Sequence, residues 1–118
     1  MKEDLKRRTK EFAINIWRLC QSLPSEFYDY KRQLVRCSSS VGANYRAACR
    51  AKSTRDFINK LKIVEEELDE SLSFIELITE LLVDYDPKWD DVYKEGDSIL
   101  AIIVKSLITL RKKHAPKS

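Results

Sequence analysis

The chain has 118 residues, 35% of them charged and 43% hydrophobic, with two glycines, three prolines and a net charge of +3. That length suits one domain around one core, and so few turn-forming residues exclude an all-β fold of many short strands. The longest apolar run, Ile99 to Val104, is far short of the ~20 residues of a membrane-spanning helix; no signal-like stretch follows the polar N-terminus, so a cytoplasmic protein with no membrane partner is expected.

The first helix is predicted over about residues 5–22. Leu5, Thr9, Phe12, Ile16, Leu19 and Leu23 recur at alternating four- and three-residue steps and form one stripe. Pro24 ends it, because proline disfavours helical geometry in the residue before it. Ser25 is then placed to cap the next segment.

The second helix is predicted over about 27–51, with Tyr30, Leu34, Cys37, Val41 and Ala48 on its inner line. Its middle is thin, with Ser38, Ser39, Ser40, Gly42 and Ala43 in succession around Val41. Small side chains permit close approach by a neighbouring backbone, and Gly42 weakens the isolated helix by roughly 1 kcal/mol relative to alanine.

Ser53 or Thr54 caps a third helix over about 54–83, with Asp56 in its first turn, where a negative charge meets the positive helix end. Phe57, Leu61, Val64, Leu68, Ser71, Ile75, Ile78 and Leu82 give its inner line. Asp86 caps the fourth helix, over about 88–113, and Pro87 takes the first helical position, where its missing N–H costs nothing. Val92, Gly96, Ile99, Ile103 and Leu110 face inward, with Leu100, Ile102 and Leu107 widening the stripe. Arg111, Lys112 and Lys113 complement the negative end of the helix, and residues 114–118 read as a frayed tail. Three short connections between four amphipathic helices predict an all-α, antiparallel up-and-down four-helix bundle, one domain over residues 1–118.

One bundle leaves apolar surface over. The C-terminal half of the third helix and Ile99 to Val104 are more apolar than a single seam requires, which predicts a second neighbour. The charge is also segregated, at +9 over residues 1–62, −11 over 63–104 and +5 over 105–118. If the basic second helix, through Arg46 and Arg50, meets the acidic third helix of another copy, through Glu65 and Asp69, the contact is heterologous and closes into a ring. Phe74, Leu77 and Leu81 would complete that interface. The alternative is that both charge runs solvate the bundle or pair within it.

Chemistry is sparse. No glycine-rich phosphate loop, no Ser/His/Asp set and no metal-ligand spacing is present, so no enzyme, no catalytic residue, no cofactor and no metal are expected. Cys20, Cys37 and Cys49 make no Cys-x-x-Cys pair, and His114 stands alone. What remains is basic. Lys6, Arg7, Arg8 and Lys10, with Lys2, open the first helix; Arg111, Lys112 and Lys113, with Lys117, close the chain. An up-down bundle puts both clusters at one end, where they would contact phosphates in a salt-sensitive, sequence-tolerant way. Trp17, Tyr28, Tyr30, Tyr45 and Trp89 offer rings for base stacking, in competition with packing. The expected function is a non-enzymatic, homo-oligomeric scaffold that binds RNA or DNA through basic surfaces, with or without a protein partner. The rival is an assembly module with no nucleic-acid role.

Ser39 to Ala51, carrying Gly42-Ala43-Asn44-Tyr45-Arg46, is followed by Ser53, Asp56-Phe57-Ile58, Lys60-Leu61, Ile63-Val64-Glu65, Glu67 and Asp69-Glu70. This pattern, extended upstream through Leu23-Pro24 and Arg36 to Ser38, resembles the bacterial family of 23S rRNA intervening-sequence proteins over about residues 5–113. The resemblance implies a homopentameric ring of four-helix protomers without catalytic residues. It also implies kinship with the accessory variability determinants of diversity-generating retroelements, which bind nucleic acid and a reverse transcriptase. Ala47 departs from the pattern, since relatives often carry glutamate there.

Overall fold

The computed structural model describes residues 2–114. Its elements are α1 (Lys2–Cys20), one turn of 3-10 helix (Ser25–Phe27), α2 (Tyr28–Cys49), α3 (Thr54–Leu81) and α4 (Lys88–Lys113). α1 and α3 each pack against both α2 and α4, which sets the four helices in a square of antiparallel neighbours. The α2–α3 seam is the most extensive edge and the α1–α4 seam the least. The bundle measures 54 × 26 × 23 Å. The predicted tail beyond His114 lies outside the described residues.

Helix ends follow local chemistry. α1 starts three residues before the apolar stripe does, because Glu3 and Asp4 suit the positive first turn. It stops at Cys20, where Gln21, Ser22 and Leu23 donate to carbonyls three residues back and tighten the chain ahead of Pro24. Ser25 does not cap α2 as its position suggested; it enters the 3-10 turn, and its side chain makes no capping bond. Ser53 does cap α3, its hydroxyl accepting from Asp56 N at 3.1 Å. α3 ends two residues earlier than predicted, because Leu82 turns to extended geometry and so keeps its side chain against the core. Pro87 has helical φ and ψ, and Asp86 Oδ1 accepts from Lys88 N at 2.9 Å.

The predicted stripes converge on one core. Leu5, Phe12, Ile16, Leu34, Val41, Leu61, Leu68, Ile75, Ile99 and Ile103 are all nearly inaccessible, and Tyr45 and Trp89 join them. Buried hydroxyls bond backwards along their own helices, as burial requires: Thr9 Oγ1 donates to the Leu5 carbonyl at 2.8 Å, and Ser71 Oγ to the Glu67 carbonyl at 2.8 Å. Burial pushes the Cys20 thiol up to about 11, and raises Cys37 against the opposing hydrogen bond from Ser71. Neutral thiols of this kind are packing groups.

The two glycines differ in what surrounds them. A Cβ on Gly42 would rest 3.4 Å from Thr9 Oγ1, an ordinary contact that reflects the close approach of α1 to the thin middle of α2. A Cβ on Gly96 would fall 2.7 Å from Phe12 Cε1 and 2.9 Å from Leu72 Cδ2.

Opposite outcomes are therefore expected from one substitution at two sites. Gly96→Ala should destabilise by about 1–3 kcal/mol through overpacking. Gly42→Ala should be neutral or stabilise by up to about 1 kcal/mol through helix propensity; urea denaturation of both variants checks the contrast. A second expectation concerns alkali. Cys20 is held protonated in the fold up to about pH 11 but ionises near 9.0 once exposed, so its contribution is intact below pH 9 and is lost as pH rises through that window. Wild type should lose up to about 2 kcal/mol more than Cys20→Ala between pH 9 and 11, measured by urea unfolding under reducing conditions.

Candidate nucleic-acid interface and assembly faces

Antiparallel packing gathers the start of α1, the end of α2, the start of α3 and the end of α4 at one end. Lys2, Cys49, Thr54 and Lys113, one from each segment, line a single cleft there. The fold thereby sorts charge along the long axis. The half containing residues 2–11, 39–67 and 101–114 carries 15 Lys/Arg and 7 Asp/Glu, a balance of +8. The other half, residues 12–38 and 68–100, carries 6 and 12, a balance of −6. Three blocks along the sequence have become two poles.

The basic residues singled out from sequence are not equivalent. Arg8 is committed to structure. Its guanidinium grips Glu95 across the α1–α4 seam at 2.7 and 2.9 Å and reaches Ser98 Oγ at 3.0 Å, and the hydrogen bond to Glu95 raises its pKa further. Arg7 lies exposed between Asp4 (2.7 Å) and Glu11 (3.2 Å), which raise its pKa through hydrogen bonds, and Lys6 approaches Glu3 at 3.3 Å. Such exposed pairs are weak and exchange readily. Lys10, Arg111, Lys112 and Lys113 are exposed and take part in none of the ion pairs among the described residues.

The assembly residues also divide. Arg46, Arg50, Asp69, Leu77 and Leu81 are exposed. Glu65 accepts from Lys62 at 3.1 Å on its own helix. Phe74 is half-buried against Tyr30, with ring centroids 6.1 Å apart. Part of the basic α2 face meets the acidic α3 face inside one protomer, where Arg36 reaches Glu70 at 2.5 Å and Glu67 at 3.5 Å. Exposed apolar residues are spread over the surface: Ile63, Leu77 and Leu81 on α3, Val83 and Tyr85 in the connection after it, Ile108 on α4, and Ile14, Trp17 and Tyr28 on α1 and the start of α2. Of the rings offered for stacking, Tyr45 and Trp89 are core and Tyr30 packs between Phe27 and Phe74. Trp17 and Tyr28 belong to the acidic half, so the fold does not bring them to the basic pole.

A model of the 23S rRNA-intervening sequence proteins matches residues 2–105. The chain belongs to this family. A crystal structure from Bacteroides thetaiotaomicron, a protein of unknown function from the S23 ribosomal protein family, superposes with a TM-score of 0.80 at 29% identity, covering 91% of this chain and 98% of that one. Among curated proteins, none matches. The segment that carries the resemblance to the family turns out to be mostly packing. Gly42 admits α1, Val41, Tyr45 and Ala48 are core, and Asn44 Nδ2 donates back to the Ser40 carbonyl at 2.8 Å. Arg46 and Arg50 are its exposed basic members. No group of three or more His, Cys, Asp or Glu among the described residues is placed to hold a metal, and none of their helices is long and apolar enough to cross a membrane.

No local pattern along the chain marks the Arg8–Glu95 clamp, because its partners are 87 residues apart. Removing either partner should cost about 1 kcal/mol, a modest figure because Glu95 is partly exposed. In a double-mutant cycle, Arg8→Ala with Glu95→Ala should lose less than the sum of the single variants; strict additivity in thermal denaturation would remove the clamp.

Proposed function

We propose that this protein is a non-enzymatic, cytoplasmic, homo-oligomeric scaffold that binds nucleic acid at its basic pole. The observation that carries the reading is the axial sorting of charge, with Arg111, Lys112 and Lys113 exposed at one end and unpaired among the described residues; Lys10, also exposed and unpaired, lies at the middle of α1. Arg8 is left out of the contact set because Glu95 holds it; Arg7 and Lys6 stay in it, since exposed partners release them at little cost. Side-by-side association of protomers, five in number on the family resemblance, would align their basic poles into one rim and multiply phosphate contacts.

The assembly reading rests on different residues. Leu77 and Leu81 are 43% and 55% exposed, and a second copy that covered them would account for the width of the α3 apolar face. A purely structural module is the second reading, favoured by the outward Arg46 and Arg50, which lie beside small residues suited to close contact.

Light scattering coupled to size exclusion, at low and high salt and with a structured RNA, tests both. The expected result is a salt-resistant mass near five protomers, with RNA co-eluting only at low salt. Arg111→Glu/Lys112→Glu/Lys113→Glu should abolish co-elution and leave the mass unchanged. Arg46→Glu/Arg50→Glu should break the oligomer if those arginines form the interface. A monomer indifferent to RNA would overturn the proposal.

A further inference from the structure

The cleft at the basic pole has about 980 Å³ of space, the size of a small-molecule site. Its walls are built from all four helices. Leu5, Tyr45, Phe57, Leu61, Ile103 and Leu110 supply apolar surface, and the mouth carries Lys2, Lys105, Lys113 and His114. Of the five hydroxyl side chains in the lining, Ser106 donates to the Ile102 carbonyl at 2.9 Å and Ser53 caps α3, while Tyr45, Thr54 and Thr109 complete the set.

From this composition we infer that the cleft binds a single-chain anionic amphiphile, a free long-chain carboxylate whose alkyl chain lies among the wall residues and whose head group meets the lysines at the mouth. Charge complementarity selects the anion. The walls select the chain: their surface is mainly apolar, and a nucleobase there would need every polar edge paired, because unpaired polar groups are costly to bury. An alkyl chain has no such groups. Lys2 and Lys105 serve the cleft alone, Lys113 is shared with the outer rim, and Arg111 and Lys112 do not line the cleft. The inference does not depend on nucleic-acid binding at the outer rim.

Cys49 supplies the readout, because it is half-buried in the cleft wall while Cys20 and Cys37 are fully buried. The rate at which an aromatic disulfide reagent modifies Cys49 is measured against added dodecanoate, decanoate, dodecanol and a nucleoside monophosphate, each below any micellar concentration. Dodecanoate should slow the reaction, with affinity falling about fourfold for each methylene removed. Lys105→Glu/Lys113→Glu should weaken dodecanoate at least tenfold and leave dodecanol unaffected. Ser106→Trp, which fills the cleft, should abolish protection by both; Thr109→Trp serves if that variant fails to fold. Absence of protection by dodecanoate overturns the inference. So does protection by the nucleotide alone, which assigns the cleft to nucleic acid. Protection that tracks protein concentration, without any additive, assigns it to a second copy of the chain and overturns it equally.

Discussion

Phe12 occupies the space that Gly96 leaves empty, and much of the bundle follows from that contact. A side chain as small as a methyl at Gly96 would collide with the Phe12 ring and with Leu72, so α1, α3 and α4 meet at one level along the axis. That register also sets the seam beside it. Arg8 lies one turn before Phe12, and Glu95 directly precedes Gly96, so the packing contact delivers the guanidinium to the carboxylate. The α1–α4 edge is the least extensive of the four. A knob and a charge clamp hold it where broad apolar contact does not.

The same register decides where charge goes. Antiparallel connection alone requires the two chain ends to share a pole, and the register of α4 against α3 brings Arg111 to Lys113 to the height of the start of α3, past the first turn of α1. The α2–α3 connection adds Arg50, Lys52 and Arg55. The acidic blocks of α3 and α4 are carried toward the opposite pole, apart from the three glutamates Glu65 to Glu67, which remain near the middle. A protein of net charge +3 thereby presents a strongly biased surface at each end. Repulsion within the basic pole is relieved locally by Glu3, Asp4 and Glu11, whose pairs with Lys6 and Arg7 are exposed and exchangeable.

The family signature acquires a physical meaning in this setting. Its glycine and tyrosine are required by close helix contact and core packing, its asparagine by a backbone carbonyl, and its serine and aspartate by the start of α3. A motif of this kind identifies a fold readily because each member answers to a distinct packing or capping demand. It says little about ligands, since most of its members are buried or half-buried and Arg46 and Arg50 are its exposed basic residues. The surfaces available for function lie elsewhere: the exposed last turn of α4, the apolar residues of α3, and the cleft between the helix ends.

Helix number, order and most of the buried set were legible in the sequence, because amphipathic periodicity is a local property: the residues that repeat on one face are the residues that fold inward. The Ser53 cap and the Asp86-Pro87 start were legible for the same reason, each involving neighbours within three residues. The Ser25 cap failed because Pro24 and the apolar Phe27 drew the segment into a tight turn instead. What tertiary structure alone decided is which charges are spent and which are free. Arg7 and Arg8 are adjacent and chemically identical, yet one faces solvent and the other is locked to a helix 87 residues away. The cleft is likewise invisible along the chain, since its walls come from four segments that share nothing but an end of the bundle. Periodicity encodes the face a residue presents; only packing determines what that face meets.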